Sequence, residues 1–244
     1  MPLSRETSLR IRNLLDDGLP PVVRDSRLLM TPLLRFALGR QYREFLDFKA
    51  RGFEMTPEEF SEFYRRISGS EVHGDTDLND ACADAILQVV AGRRVLEVGA
   101  GRGWLAERMV AAGATVTASD IVLSDALLRV SGVETQAAPA ERLPWPDGSF
   151  EVVVTTHTLE HVQDIQAALA ELRRVASEDV VVVVPKERPY RYSFNPHLHF
   201  FPYPWSWQAV AGVRPGATLQ DLGDWFYVEP VTAAGTSPAG GSRS

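Results

Sequence analysis

The sequence predicts an α/β protein: a doubly wound, mostly parallel seven-stranded sheet preceded by an N-terminal helical extension. Apolar strand runs alternate with helical segments from about residue 79 onward. The run VLEVGAGRGWLAERM, from Val95 to Met109, joins a buried strand to an amphipathic helix through three alternating glycines. A second apolar strand, VTAS, follows one crossover later and ends at Asp120.

Residues 1–78 read as helices separated by Pro and Gly breaks. The segment TPEEFSEFYRRI has a marked start, with Thr56 as cap, Pro57 in the first turn and Glu59 completing a capping box. Phe60, Phe63, Tyr64 and Ile67 form its apolar face, a pattern more often core than pocket. This extension is expected to lie over the carboxyl ends of the strands as a lid, to widen the substrate pocket and to support dimerisation. Residues 79–231 form the core, with Asn79 capping a helix that ends at Gly92. Strands are placed at about 93–98, 114–119, 133–137, 150–156 and 179–184, with a hairpin over 217–231 turning near Gly223 and Asp224. The stretch 185–207 is expected to be a substrate loop, and 232–244, TAAGTSPAGGSRS, a disordered tail.

Within the first strand, Val95, Leu96 and Val98 are apolar, and Glu97 is the exception beside the carboxyl end, where open α/β sheets bind ligands. A buried acid there wants a partner. Gly99, Gly101 and Gly103 let the backbone turn and approach a ligand closely. Asp120 is placed to accept hydrogen bonds from a ribose diol. A dinucleotide fold, and with it an NAD(P)-dependent oxidoreductase, is a rival because Gly101, Gly103 and Ala106 satisfy G-x-G-x-x-A. That match starts two residues after the strand and leaves Glu97 and Gly99 unexplained.

These residues resemble a known family. E-x-G-x-G-x-G from Glu97 to Gly103, Asp120, AERLPWPDGSFEVVVTTHTLEHV from Ala140 to Val162 and LRRVASEDVVVVVP from Leu172 to Pro185 are similar to successive motifs of class I S-adenosylmethionine-dependent methyltransferases, type 11 subgroup. The resemblance spans about residues 79–230 and leaves the first 70 or so uncovered. It implies a Rossmann-like methyltransferase fold with S-adenosylmethionine as cofactor, its methionine end on Glu97 and the glycine turn and its ribose on Asp120. Pro139 stands where the family usually has an acid contacting adenine. Adenine recognition then rests on backbone groups of Ala140 and Glu141 or on packing by Ile121 and Leu143.

The strand FEVVVTT delivers His157, Glu160 and His161 to the same edge. Methyl transfer from a sulfonium is an in-line displacement, so the protein holds the nucleophile near the methyl group and, for a hydroxyl, removes a proton. His157 or His161 is the expected base, with Glu160 beside them; the alternative is that Glu160 orients His161 at a helix start for structural reasons. The loop VPKERPYRYSFNPHLHFFPYPWSW is rich in aromatics and His, and Tyr190, Tyr192, His197, His199 and Phe200 are its candidate substrate contacts. In a second reading, His157, Glu160 and His161 with His197 or His199 ligate a divalent cation that acidifies a vicinal diol. This arrangement resembles the metal sites of the O-methyltransferases of ubiquinone biosynthesis and of small-RNA 2′-O-methyltransferases, with His157 replacing their first glutamate. No metal ligand is assigned in the first reading.

Composition narrows the partners. In 244 residues, a net charge of −7 argues against broad binding to nucleic acid or anionic membrane and favours a small-molecule substrate. No apolar stretch approaches the roughly 20 residues that span a bilayer, the N-terminus lacks a signal peptide's apolar core, and single Cys82 fits a reducing cytoplasm. The sequence therefore reads as a cytoplasmic methyltransferase acting on a small molecule, more at oxygen than at nitrogen or carbon.

Overall fold

The computed structural model describes residues 20–39, 42–68, 76–192 and 195–231. Part of the extension and the whole of the expected tail lie outside these residues. The extension shows helices α1 (Pro21–Arg24), α2 (Arg27–Leu38), α3 (Tyr42–Arg51) and α4 (Pro57–Ser68). The core continues with α5 (Asp80–Val90), β1 (Arg94–Val98), α6 (Trp104–Ala111), β2 (Thr115–Asp120), β3 (Val133–Ala137), β4 (Phe150–Thr156), α7 (Ile165–Val175), β5 (Ala176–Val184), α8 (Pro204–Ala211), β6 (Thr218–Asp221) and β7 (Trp225–Pro230).

The seven strands order as β3-β2-β1-β4-β5-β7-β6. β1 to β5 pair in parallel, and β7 enters antiparallel between β5 and β6. The central strands read as nearly unbroken valine runs because both sheet faces are covered. Val95, Val152, Val154, Val181 and Val183 pack on the α5 and α6 side with Ile86 and Met109. Leu96, Val153, Val180 and Val182 pack on the other side with Leu169, Leu172 and Trp207.

The winding departs from the expected regular alternation. Between β2 and β3 there is one 3-10 turn, Leu127–Arg129, and β3 reaches β4 without an α-helix. In the latter stretch Pro139, Pro144 and Pro146 break any helical run. β5 also begins at Ala176, three residues earlier than the valine run suggests. Its polar opening is held in the ladder by Asp179, which ion-pairs with Arg93 at 2.7 Å, and by Ser177, whose hydroxyl donates to the Phe150 carbonyl at 3.1 Å.

Helix ends follow the sequence signals. Thr56 and Glu59 form the capping box reciprocally, at 2.9 and 3.2 Å. Asn79 Oδ1 accepts from Cys82 N at 2.9 Å. The extension lies against the loop after β5 rather than standing apart. Phe45, Phe48, Phe60, Phe63 and Ile67 cluster with Leu198 and Ile121, and Met30, Leu34 and Leu46 pack with Tyr192. Gln163 closes the contact from the core, its amide donating to the carbonyls of Gly52 and Met55 at 2.6 and 2.9 Å. Among the described residues, no helix is long and apolar enough to cross a membrane.

Candidate active site

Local backbone geometry builds the site first. After β1 the chain turns through Gly99 at φ +78°, Gly101 at +55° and Gly103 at +81°, a region that side chains disfavour. Gly99 is required on a second count, since a Cβ there would collide with the Thr158 side chain. The turn is fastened to β2: Gly99 N and Ala100 N donate to the Ser119 carbonyl at 2.8 and 3.0 Å.

A cavity of about 570 Å³ opens at the carboxyl ends of β1, β2 and β4, under α4. Glu97, Gly99, Gly101, Asp120, His157 and His161 all line it. Glu97 is 2% exposed, and among the described residues its Oε2 meets no hydrogen-bond donor. Burial, reinforced by the Asp120 charge, pushes its carboxyl up to about 8. Its carboxyl takes a backbone hydrogen bond from Ala106, so one oxygen of a buried acid is left for a cationic donor such as an amine. Asp120 is more engaged than the sequence suggested. Its Oδ2 accepts from Gly101 N at 2.8 Å and its Oδ1 from Val122 N at 3.2 Å. Burial still raises its pKa against these bonds. Ile121 N is a third backbone donor to this carboxylate, which has about four lone-pair sites and so retains acceptor capacity.

Ile121, Ala140 and Glu141 do not line the cavity. Ile121 packs against the extension, Ala140 is core, and Glu141 Oε1 accepts from Gln163 N at 3.1 Å. The β2 side of the cavity is formed instead by Val122, Ser124, Asp125, Ala126 and Arg129.

The segment His157–Val162 is a turn, not a helix start. The helix begins at Ile165, where Asp164 caps by accepting from Gln166 N and Ala167 N. Among the described residues His157 is the only non-glycine at positive φ, +49°. Its Nδ1 stands 3.5 Å from Glu160 Oε1 and its Nε2 3.4 Å from Asp224 Oδ2. Burial opposes the imidazolium, but the Asp224 and Glu160 carboxylates outweigh it and hold the ring's pKa at about 10. Glu160 is wholly buried, and although burial favours its neutral form, His157 and His161 keep its pKa below the usual value.

His161 is the opposite case. Burial first and the neighbouring His197 second press its pKa down to about 4. Its Nδ1 lies 3.2 Å from the Pro196 carbonyl, which makes Nδ1 the protonated nitrogen and leaves the Nε2 lone pair. The Tyr64 ring meets it edge-on at 5.9 Å. Tyr64 itself has its hydroxyl raised well above its usual pKa by burial and the charges of Glu160, Asp120 and Glu141.

The aromatic loop is stapled to this turn, because Leu198 N and His199 N both donate to the Glu160 carbonyl, at 2.7 and 3.0 Å. Its expected substrate contacts scatter, however. His197 reaches the His161 ring at 4.6 Å with Nδ1 on Glu187 at 2.6 Å. His199 bonds the Val162 carbonyl and meets Phe53 edge-on. Tyr190 and Phe200 flank Lys49, and Tyr192 packs on the extension. None of these five lines the cavity; Tyr190, Phe200, Tyr192 and His199 meet the N-terminal extension, and His197 meets His161 and Glu187.

Sequence reasoning missed Asp224 and underweighted Tyr64. Asp224 sits in the β6–β7 turn, which the antiparallel pairing of Val184 with Trp225 returns to the edge beside His157. Replacing it with asparagine is expected to lower the His157 pKa from about 10. A raised His pKa contributes stability below the unfolded value near 6.5 and loses it as pH climbs through the folded value. D224N should therefore bring the alkaline loss of stability to lower pH. NMR titration of the imidazole, with thermal melts across pH, measures both.

Comparison with known proteins bears on the fold. Residues 96–184 match the family described as "Methyltransferase domain". The chain is 33% identical over 143 residues to a ubiquinone/menaquinone biosynthesis C-methyltransferase of Cupriavidus taiwanensis, covering 51% of this chain and 56% of that protein. It is 34% identical over 90 residues to a malonyl-[acyl-carrier protein] O-methyltransferase of Erwinia billingiae, covering 35% and 36%. The chain thus spans from about a third to just over half of these relatives' lengths. Its fold is similar to that of Burkholderia thailandensis 1,6-didemethyltoxoflavin-N1-methyltransferase, solved with bound S-adenosylhomocysteine, at TM-score 0.55 and 19% identity over 73% of this chain and 92% of that one. The glycine turn lies within the matched methyltransferase domain. The seven-stranded sheet is thus that of the Rossmann-like methyltransferases, and residues 96–184 within it carry the matched domain.

Proposed function

We propose that this chain transfers a methyl group from S-adenosylmethionine to a hydroxyl oxygen of a small molecule, with His161 as general base. The names of its relatives include both C- and O-methyltransferases, so the acceptor atom is argued from this cavity alone. The observation that carries the reading is the electrostatic division between the two histidines. His157 is clamped between two carboxylates and stays protonated near neutral pH, a positioning role. His161 lines the cavity neutral, with Nδ1 committed to Pro196 and Nε2 available for a proton.

Glu97 and the glycine turn would hold the methionine end, and Asp120 the ribose. The bound cofactor supplies the electrophilic methyl group. The chain's own work is to position: His161 Nε2 would take the proton of an acceptor hydroxyl as the oxygen–methyl bond forms and the methyl–sulfur bond breaks, with S-adenosylhomocysteine leaving as the neutral thioether. Helix α4, through Tyr64 and Ile67, roofs the cavity and keeps water from the charged cofactor. The test is an acceptor screen with methyl-labelled S-adenosylmethionine and paired phenols, amines and carbon acids. Label appearing on hydroxyls supports the reading; label confined to carbon or nitrogen rejects it.

One observation favours a metal-assisted second reading. Glu160, His161 and His197 each bring one ligand atom within 4.8 Å of the others. With His161 Nδ1 on Pro196 and His197 Nδ1 on Glu187, each ring keeps Nε2 for a ligand. A divalent cation there would acidify a coordinated hydroxyl. Full activity in chelator-treated, metal-free protein rejects this version and leaves the first intact.

A further inference from the structure

A second cavity, of about 360 Å³, shares no lining residue with the first. Arg24, the last residue of α1, forms its inner wall. The residue is 7% exposed, and among the described residues its buried Nε and Nη1 meet no hydrogen-bond acceptor. Its guanidinium lies 4.9 Å from the Tyr190 ring centroid, with Lys49 Nζ 4.7 Å from the same ring. Arg188, exposed, stands at the rim. Among the described residues that line the cavity, Asp25 is the one carboxylate, and its Oδ1 already accepts from Arg191 N at 3.0 Å. Three prolines complete the walls and have no N–H to offer a ligand.

Positive charge therefore exceeds negative inside the cavity, in a protein whose net charge is −7. A buried guanidinium with unfilled donors is costly, and a planar oxyanion is the group that fills its fork. The geometry points to an anion-binding site, taking the carboxylate or phosphate of a small organic molecule between Arg24 and Arg188. Tyr203, stacked on Trp205 with ring centroids 4.5 Å apart, lines the mouth and offers an aromatic edge to the ligand's body. The site stands on its own residues and does not depend on the acceptor assigned to the methyltransferase cavity.

Calorimetric titration of the chain with sodium benzoate and, separately, inorganic phosphate at fixed ionic strength tests it. Saturable one-site binding of either probe is expected, weakened roughly tenfold or more by R24M, as loss of a charge-assisted pair predicts. Because R24M removes a buried side chain, the exposed R188A is the second variant, and it should weaken the same probe. Binding of benzoate alone identifies a carboxylate ligand, and of phosphate alone a phosphate ligand. Binding of neither probe, or binding that both variants keep at wild-type strength, overturns the site.

Discussion

Replacing His161 with alanine is expected to lower kcat by about 10²- to 10⁴-fold, the usual contribution of a positioned base, while S-adenosylhomocysteine binding stays unchanged. The pH profile makes this sharper. A base must be unprotonated to act, and the His161 pKa is pressed down to about 4. The acid limb of kcat/KM should then fall near pH 4, well below the 6.5 of an ordinary histidine. Were His157 the base, activity would climb toward pH 10, because its two carboxylate neighbours keep it charged until then. An acid limb near 4 that disappears in H161A identifies the base. A limb near 10 would transfer the role to His157.

The second large effect is expected at Gly99. Alanine there must hold φ near +78° and would drive its Cβ into the Thr158 side chain. Neither strain is relieved without moving the glycine turn or the turn that carries His157 and His161. Displacing either by about 1 Å costs on the order of 100-fold in a positioned reaction, so methyl transfer in G99A should fall by at least that factor. Combining G99A with T158A removes part of the overlap but not the dihedral strain, and should recover part of the activity. Wild-type turnover in G99A alone would show that the turn is not close-packed against Thr158.

The sheet was legible in the sequence because both its faces are buried, which makes β1, β4 and β5 read as valine-rich runs whatever their neighbours. Glu97 stood out for the same reason, as an acid inside such a run. The polar start of β5 was not legible, since the partner of Asp179 there is Arg93, 86 residues away. The site was readable where one segment builds it, as in the glycine turn, and unreadable where distant segments converge. Asp224 in a hairpin turn carries no mark of its eventual place beside His157. The aromatic loop was chemically conspicuous, but its rings turn toward Lys49, Phe53 and the helices of the N-terminal extension. Composition could not tell packing from recognition there. The histidines looked equivalent in sequence because their pKa values are set by burial and by carboxylates that folding supplies.

Glu97 offers the most direct measurement of the central claim, that the cofactor's charged methionine end completes the turn after β1. Titration of S-adenosylhomocysteine into wild-type protein and E97Q by calorimetry is expected to show one site. The affinity should drop by about tenfold or more in the variant, as for one lost charged hydrogen bond. No heat from this ligand in the wild-type protein, with NAD or NADP binding instead, would contradict the account.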